Sequence, residues 1–118
     1  MATRSFEELE VWKKAHMLVL EIYKATQVFP KEELFGITTQ IRRSAISIPA
    51  NIAEGYKRLS KNEKIRFFNI AQSSLEEVKY YLLLTQELNI APGFELQQKS
   101  NEIGKMLDIY IKRIRESK

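Results

Sequence analysis

Five bases and one acid fall within ten residues in Lys57-Arg58-Leu59-Ser60-Lys61-Asn62-Glu63-Lys64-Ile65-Arg66. Cations at this density are phosphate chemistry, since each backbone phosphate neutralised releases a counterion and adds to affinity. Arg42 and Arg43 add two more bases upstream. Lys57, Arg58, Lys61, Lys64, Arg66, Arg42 and Arg43 are therefore the candidate nucleic-acid contacts. The bland alternative is a solvated turn, because charged turns are common. Lys112, Arg113, Arg115 and Lys118 enrich the C-terminal end as well, where bases offset the dipole of a closing helix.

Residues for catalysis are not assembled. The single histidine, His16, has Lys13 three positions before it, so the Glu-x-x-His pair of a di-iron bundle is missing. It reads as an interfacial or hydrogen-bonded residue. The four glycines, Gly36, Gly55, Gly93 and Gly104, are scattered and form no phosphate-cradling loop. A lone histidine offers no dependable Ser-His-Asp set. No catalytic residue, metal ligand or cofactor site is assigned.

The elements that carry these residues follow from apolar periodicity. Helix one is expected over Phe6 to Gln27, opening on a capping box of Ser5 and Glu8, with Trp12, Ala15, Val19, Ile22 and Thr26 as its inner stripe. Val11, Leu18 and Tyr23 flank that stripe. Phe29-Pro30 closes the helix. Helix two is expected from Phe35 to Arg58 on Ile37, Ile41, Ala45, Ile48 and Ile52, with a kink at Pro49, whose missing amide deprives the Ala45 carbonyl of a donor. Helix three opens on a second capping box, Ser60 and Glu63, runs to Leu88, and buries Phe68, Ala71, Leu75, Val78 and Leu82. Asn89 to Gly93 is a turn, with Pro92 in the first turn of helix four. That helix, to Arg115, turns Leu96, Ile103, Leu107, Tyr110, Ile111 and Ile114 inward.

Four helices joined by short links give an all-α, antiparallel, up-down-up-down four-helix bundle in one domain, residues 1–118. The composition agrees: 44% hydrophobic and 29% charged, with 4 Gly, 3 Pro and no cysteine. Disulfides and thiolate zinc sites are excluded. The opening MATRSFEELEVWKKAH mixes acids and bases and lacks the apolar run of a signal peptide, and no segment reaches the roughly 20 apolar residues of a membrane span. The expectation is a soluble cytoplasmic protein without a membrane partner. The net charge of +4 permits a nucleic-acid partner without requiring one.

Helices two and three carry more apolar surface than a lone bundle uses. Ile46, Ala50 and Ala53 fall opposite the Ile41 stripe, and Ile70, Tyr81, Leu84 and Leu88 face away from Phe68 and Leu75. A helix apolar on two sides is usually buried on two sides, so these seven residues are the candidate interface of a homo-oligomer. The alternative is that the proline kink turns Ala50 and Ala53 back to the core. The run Tyr80-Tyr81-Leu82-Leu83-Leu84 covers every direction of helix three, and suits core, interface or a protein-partner groove.

The stretch Gln40-Ile41-Arg42-Arg43-Ser44-Ala45-Ile46-Ser47-Ile48-Pro49-Ala50-Asn51-Ile52-Ala53-Glu54-Gly55-Tyr56 resembles the signature of the 23S rRNA-intervening-sequence proteins, a four-helix-bundle family. Leu9-Glu10-Val11-Trp12-Lys13-Lys14-Ala15, Phe29-Pro30 and Arg66-Phe67-Phe68-Asn69-Ile70-Ala71-Gln72-Ser73-Ser74-Leu75-Glu76-Glu77 match the rest of the pattern. Gln72 departs from it, standing where the family often has glycine. The resemblance implies a bundle assembled as a pentameric ring, reading frames within intervening sequences of bacterial ribosomal RNA genes, and kinship with the accessory protein of diversity-generating retroelements. That relative is a basic ring that binds nucleic acid and a reverse transcriptase. No catalytic group carries over. Ser47, Asn51 and Glu54 are expected to supply hydrogen bonds beside the proline.

Overall fold

Four apolar runs of helical period, separated by stop signals, become four helices. The computed structural model describes residues 4–117. They form α1 (Glu10–Thr26), α2 (Thr39–Lys57), α3 (Lys61–Glu87) and α4 (Phe94–Glu116), with no strand among them. Each helix packs on its two neighbours in the ring order α1, α2, α3, α4, giving an antiparallel bundle of 49 × 22 × 19 Å. The 27 residues of α3 rise about 40 Å, so the helices lie along the long axis.

The interior is continuous and mostly apolar. Ile41, Ala45, Ile48 and Ile52 of α2, the whole expected line of α3, and Ile103, Leu107 and Ile111 of α4 are buried. In α1 the buried line is Val11, Ala15, Leu18, Ile22 and Thr26, while Trp12 and Val19 sit at the edge of the core. The helix must face α2 and α4 together. Its buried direction therefore bisects the two and leaves Trp12 on the α2 side.

The helix ends differ from expectation at three places. Ser5 makes no side-chain cap; Phe6–Glu8 form a separate 3-10 turn, the Glu8 carboxylate takes the Arg4 amide at 2.8 Å, and Leu9 precedes α1. This turn lays the Phe6 ring edge-on to Trp12, with ring centres 5.0 Å apart. α2 begins at Thr39 and not at Phe35, because a wide turn of π type spans Leu34–Thr38 with Gly36 outside helical geometry (φ −114°, ψ −113°). Pro92 lies before α4, whose first residue is Phe94.

Two other ends follow their local chemistry. Ser60 Oγ accepts the Glu63 amide at 3.1 Å, while the Glu63 carboxylate turns to Arg66. After α3, Asn89 takes a left-handed conformation (φ 59°), the Asn89 amide bonds to the Gln86 carbonyl and the Ile90 amide to that of Thr85. This is the Schellman closure, with asparagine at the position glycine usually fills.

Pro49 stands inside a continuous α2. Asn51 Nδ2 donates to the Ser47 carbonyl at 2.7 Å and to Ser47 Oγ at 2.9 Å, and Ser47 Oγ shares a hydrogen bond with Ser74 Oγ at 2.7 Å. Ser47 and Asn51 thus link the proline turn to α3. Glu54 does not join them, since it pairs with Arg58 one turn further on. Gln72, the one departure from the resemblance, reaches outward to Asp108 of α4 at 2.7 Å. No helix among the described residues is long and apolar enough to cross a membrane.

Candidate nucleic-acid interface

The basic cluster sits where α2 hands over to α3 through Arg58, Leu59 and Ser60. The two helices meet closely there because residue 55 is glycine. A Cβ at Gly55 would stand 3.0 Å from two ring carbons of Phe68 and 3.1 Å from Phe67 Cβ. Lys64 spans the junction, its Nζ donating to the Tyr56 carbonyl at 2.7 Å and to the Gly55 carbonyl at 3.4 Å. A cation on the last carbonyls of a helix satisfies acceptors that have no intrahelical donor and opposes the negative end of the dipole. Lys64 is thereby committed to closing α2.

Arg58 pairs with Glu54 at 3.0 Å and Arg66 with Glu63 at 3.4 Å. Both guanidiniums also lie over the ring of Phe67, 4.5 Å and 5.6 Å from its centre. Exposed ion pairs of this kind contribute about 0.3–0.5 kcal/mol, so an incoming phosphate can displace the carboxylates. Lys57 is exposed and Lys61 half-buried, and their side chains pair with no other described residue. Leu59, between them, is fully exposed.

Arg42 and Arg43 are elsewhere. From Arg42 to Lys57 the helix rises about 22 Å, which takes both arginines away from the junction. Arg42 is further occupied: its Nε donates to Thr26 Oγ1 at 2.8 Å and its Cζ stands 4.6 Å over the Tyr23 ring. It ties α2 to the end of α1. Arg43 is exposed. The antiparallel topology instead brings the C-terminal end of α4, with exposed Lys112, Arg113 and Arg115, to the same end of the bundle as the α2–α3 junction.

The candidate interface residues fall into two groups. Ile46, Ala50 and Ala53 join Phe6, Trp12, His16, Val19 and Pro49 around a shallow apolar depression of about 300 Å³ between α1 and α2. His16 lies flat against Trp12, with ring centres 4.9 Å apart and planes 7° from parallel. Trp12 and Val19, expected inside, sit at the core's edge and also line this depression; their spacing of four and three residues around His16 is the trace of this second face. Ile70, Tyr81, Leu84 and Leu88 do not line the depression. Ile70 and Leu88 are exposed on α3, whereas Tyr81 and Leu84 are half-buried and Tyr81 packs on the core.

Polar bridges cross the other open grooves. Lys14 to Glu102 at 3.0 Å and Lys99 to Glu21 at 2.6 Å span α1 and α4, and the second contact raises the Lys99 pKa above its ordinary value through the hydrogen bond to Glu21. Gln72 to Asp108 and Gln97 Nε2 to the Lys79 carbonyl, at 2.8 Å, span α3 and α4. Among the described residues no group of three or more His, Cys, Asp or Glu side chains is placed to hold a metal ion.

Known proteins bear on this arrangement in two ways. The family model of the 23S rRNA-intervening sequence protein matches residues 7–109. No curated protein matches the chain. A crystal structure of a protein of unknown function from the S23 ribosomal protein family of Bacteroides thetaiotaomicron VPI-5482 is 30% identical, superposes with a TM-score of 0.78, and the match covers 86% of this chain and 98% of that one. With both helices of the basic junction inside the matched region, the chain belongs to the 23S rRNA-intervening sequence protein family.

Proposed function

We propose that this protein is a non-catalytic, self-associating helical bundle of the cytoplasm that contacts RNA or DNA backbones through its basic end. The observation that carries the reading is the convergence of Lys57, Arg58, Lys61 and Arg66 on one junction, with Lys112, Arg113 and Arg115 brought to the same end by the topology. Charge gathered at one end of an elongated body meets a polyanion with several contacts at once. Arg43 stands apart on α2 and is a secondary contact.

Self-association is supported by two unlike apolar patches, the concave one on α1 and α2 and the Ile70–Leu88 flank of α3. Patches that differ from one another fit a head-to-tail interface, which closes into a ring when the rotation allows. The pentamer of the family resemblance is an assembly of that kind. A ring would repeat the basic end around its axis and multiply the phosphate contacts.

Fluorescence anisotropy with labelled RNA and DNA at low salt, repeated at rising salt, tests the binding. The expected result is affinity of little sequence dependence that falls steeply with salt. Absence of binding to either polymer at low salt would sink it. Light scattering on the same samples gives the assembly state.

The exposed Ile70, Tyr80, Leu83 and Leu88 along α3 favour a second reading, an adaptor that holds a partner enzyme such as a reverse transcriptase. Capture of such an enzyme by the wild-type chain, and its loss with Tyr80→Ala and Leu83→Ala, supports that reading. Unchanged binding of a purified partner by both variants counts against it.

A further inference from the structure

Leu59 is the most exposed large apolar residue described, standing at the tip of the α2–α3 link with Lys57, Arg58 and Lys61 beside it. It contributes nothing to the core, and phosphates alone give a leucine nothing to contact. The nearby Arg58 and Arg66 guanidiniums are held against one ring, 4.5 Å and 5.6 Å from the centre of Phe67. A guanidinium laid on an aromatic ring keeps its plane oriented, and oriented planar cations are stacking platforms for bases. Planar cations, an apolar tip and free lysines together match a ligand offering phosphates and open base faces. A duplex hides its base faces inside the stack.

We propose that the α2–α3 tip is a binding site for single-stranded nucleic acid, in which unpaired bases stack on Arg58 and Arg66 and against Leu59 while Lys57 and Lys61 hold the adjoining phosphates. The proposal rests on the backbone-binding reading above and narrows it to unpaired strands. Sequence preference is weak at such a site, because every base has a stacking face.

The test uses the full chain with a short labelled oligoadenylate, an RNA duplex of the same length and 2-aminopurine placed within the single strand. The single strand is expected to bind about 10-fold more tightly than the duplex at equal salt, with quenching of 2-aminopurine. Leu59→Ala weakens single-strand binding by about 5-fold, leaving duplex binding and the salt slope unchanged, and the charge-preserving Arg58→Lys weakens single-strand binding by a similar factor. Full exposure of Leu59 keeps the fold out of the result, and an unchanged melting curve verifies this. Equal binding of single strand and duplex, or no effect of Leu59→Ala, overturns the single-strand site while leaving backbone binding intact. Binding of neither polymer removes both readings. Leu59-dependent binding to vesicles of anionic lipid, with no Leu59 effect on RNA, assigns the tip to a membrane surface and overturns the proposal.

Discussion

Lys64 donates to the carbonyl of Tyr56 at 2.7 Å, across the link that joins α2 to α3. A residue that belongs to the basic cluster by sequence is thus part of the hinge that shapes the cluster. The distinction between a base that closes a helix and a base that waits for a ligand divides the candidate set. Lys64 and Arg42 have internal partners, Arg58 and Arg66 have weak exposed ones, and Lys57 and Lys61 pair with no described side chain.

Removing each kind of base has a different consequence. Lys64→Met keeps the aliphatic stem and loses the charge, and is expected to lower stability by about 1 kcal/mol, below the usual contribution of charged hydrogen bonds because the site is only part-buried. Lys57→Ala and Lys61→Ala leave stability unchanged and each flatten the salt dependence of nucleic-acid binding by about 0.7–0.9 of a logarithmic unit. Urea unfolding and salt titrations read the two effects separately. Wild-type stability in Lys64→Met contradicts its capping role.

Gly55 makes the junction possible. Gly55→Ala gains about 1 kcal/mol of helix propensity but drives a methyl against the buried Phe68 ring and Phe67 Cβ, at 3.0 and 3.1 Å. Neither contact is a flexible chain end, and overpacking costs about 1–3 kcal/mol. The net expectation is a loss of about 1 kcal/mol, seen as a lower urea midpoint at unchanged slope. A midpoint above wild type shows that the helices move apart at no cost.

A substitution at the other end of α2 works in the opposite direction. Thr38 is buried, and its Oγ1 has no hydrogen-bond partner among the described residues. Thr38→Val removes an unsatisfied hydroxyl while keeping the side chain's shape, and is expected to raise stability by about 1 kcal/mol. Thermal unfolding shows this as a Tm several degrees higher. An unchanged or lower Tm means that the hydroxyl is solvated in solution.

Much of the bundle was legible because buried lines repeat at helical period, as from Phe68 to Leu82, where every expected residue is buried. Ends were harder. Ser5 and Ser60 both stand three residues before a glutamate, yet only Ser60 caps its helix. The difference is tertiary: Phe6 packs on Trp12 and Leu9 reaches the core, which pulls the first turn away from Ser5. The candidate site was legible as charge but not as commitment. The partner of Arg42 lies sixteen residues away in Thr26, and that of Lys64 is a backbone carbonyl, which composition does not reveal. Trp12 was misplaced for a related reason, since periodicity locates a stripe only to within the angle between two neighbouring helices.

The α1–α2 depression offers the sharpest test of assembly, because the sole tryptophan borders it. Ile46 is 44% exposed there, so Ile46→Lys places a charge on the surface without disturbing the core. In a head-to-tail assembly that charge meets apolar surface and loses its hydration, a cost that the interface cannot recover without a partner. Light scattering is expected to show wild-type protein well above the 13.8 kDa of one chain and Ile46→Lys at the monomer mass. Their circular-dichroism spectra should coincide. Trp12 emission should shift to the red in the variant as the indole gains water, and the wild type should show the same shift on dilution. A wild-type chain that scatters as a monomer at every concentration, with Trp12 emission indifferent to dilution, removes self-association from the account and leaves the depression as free surface.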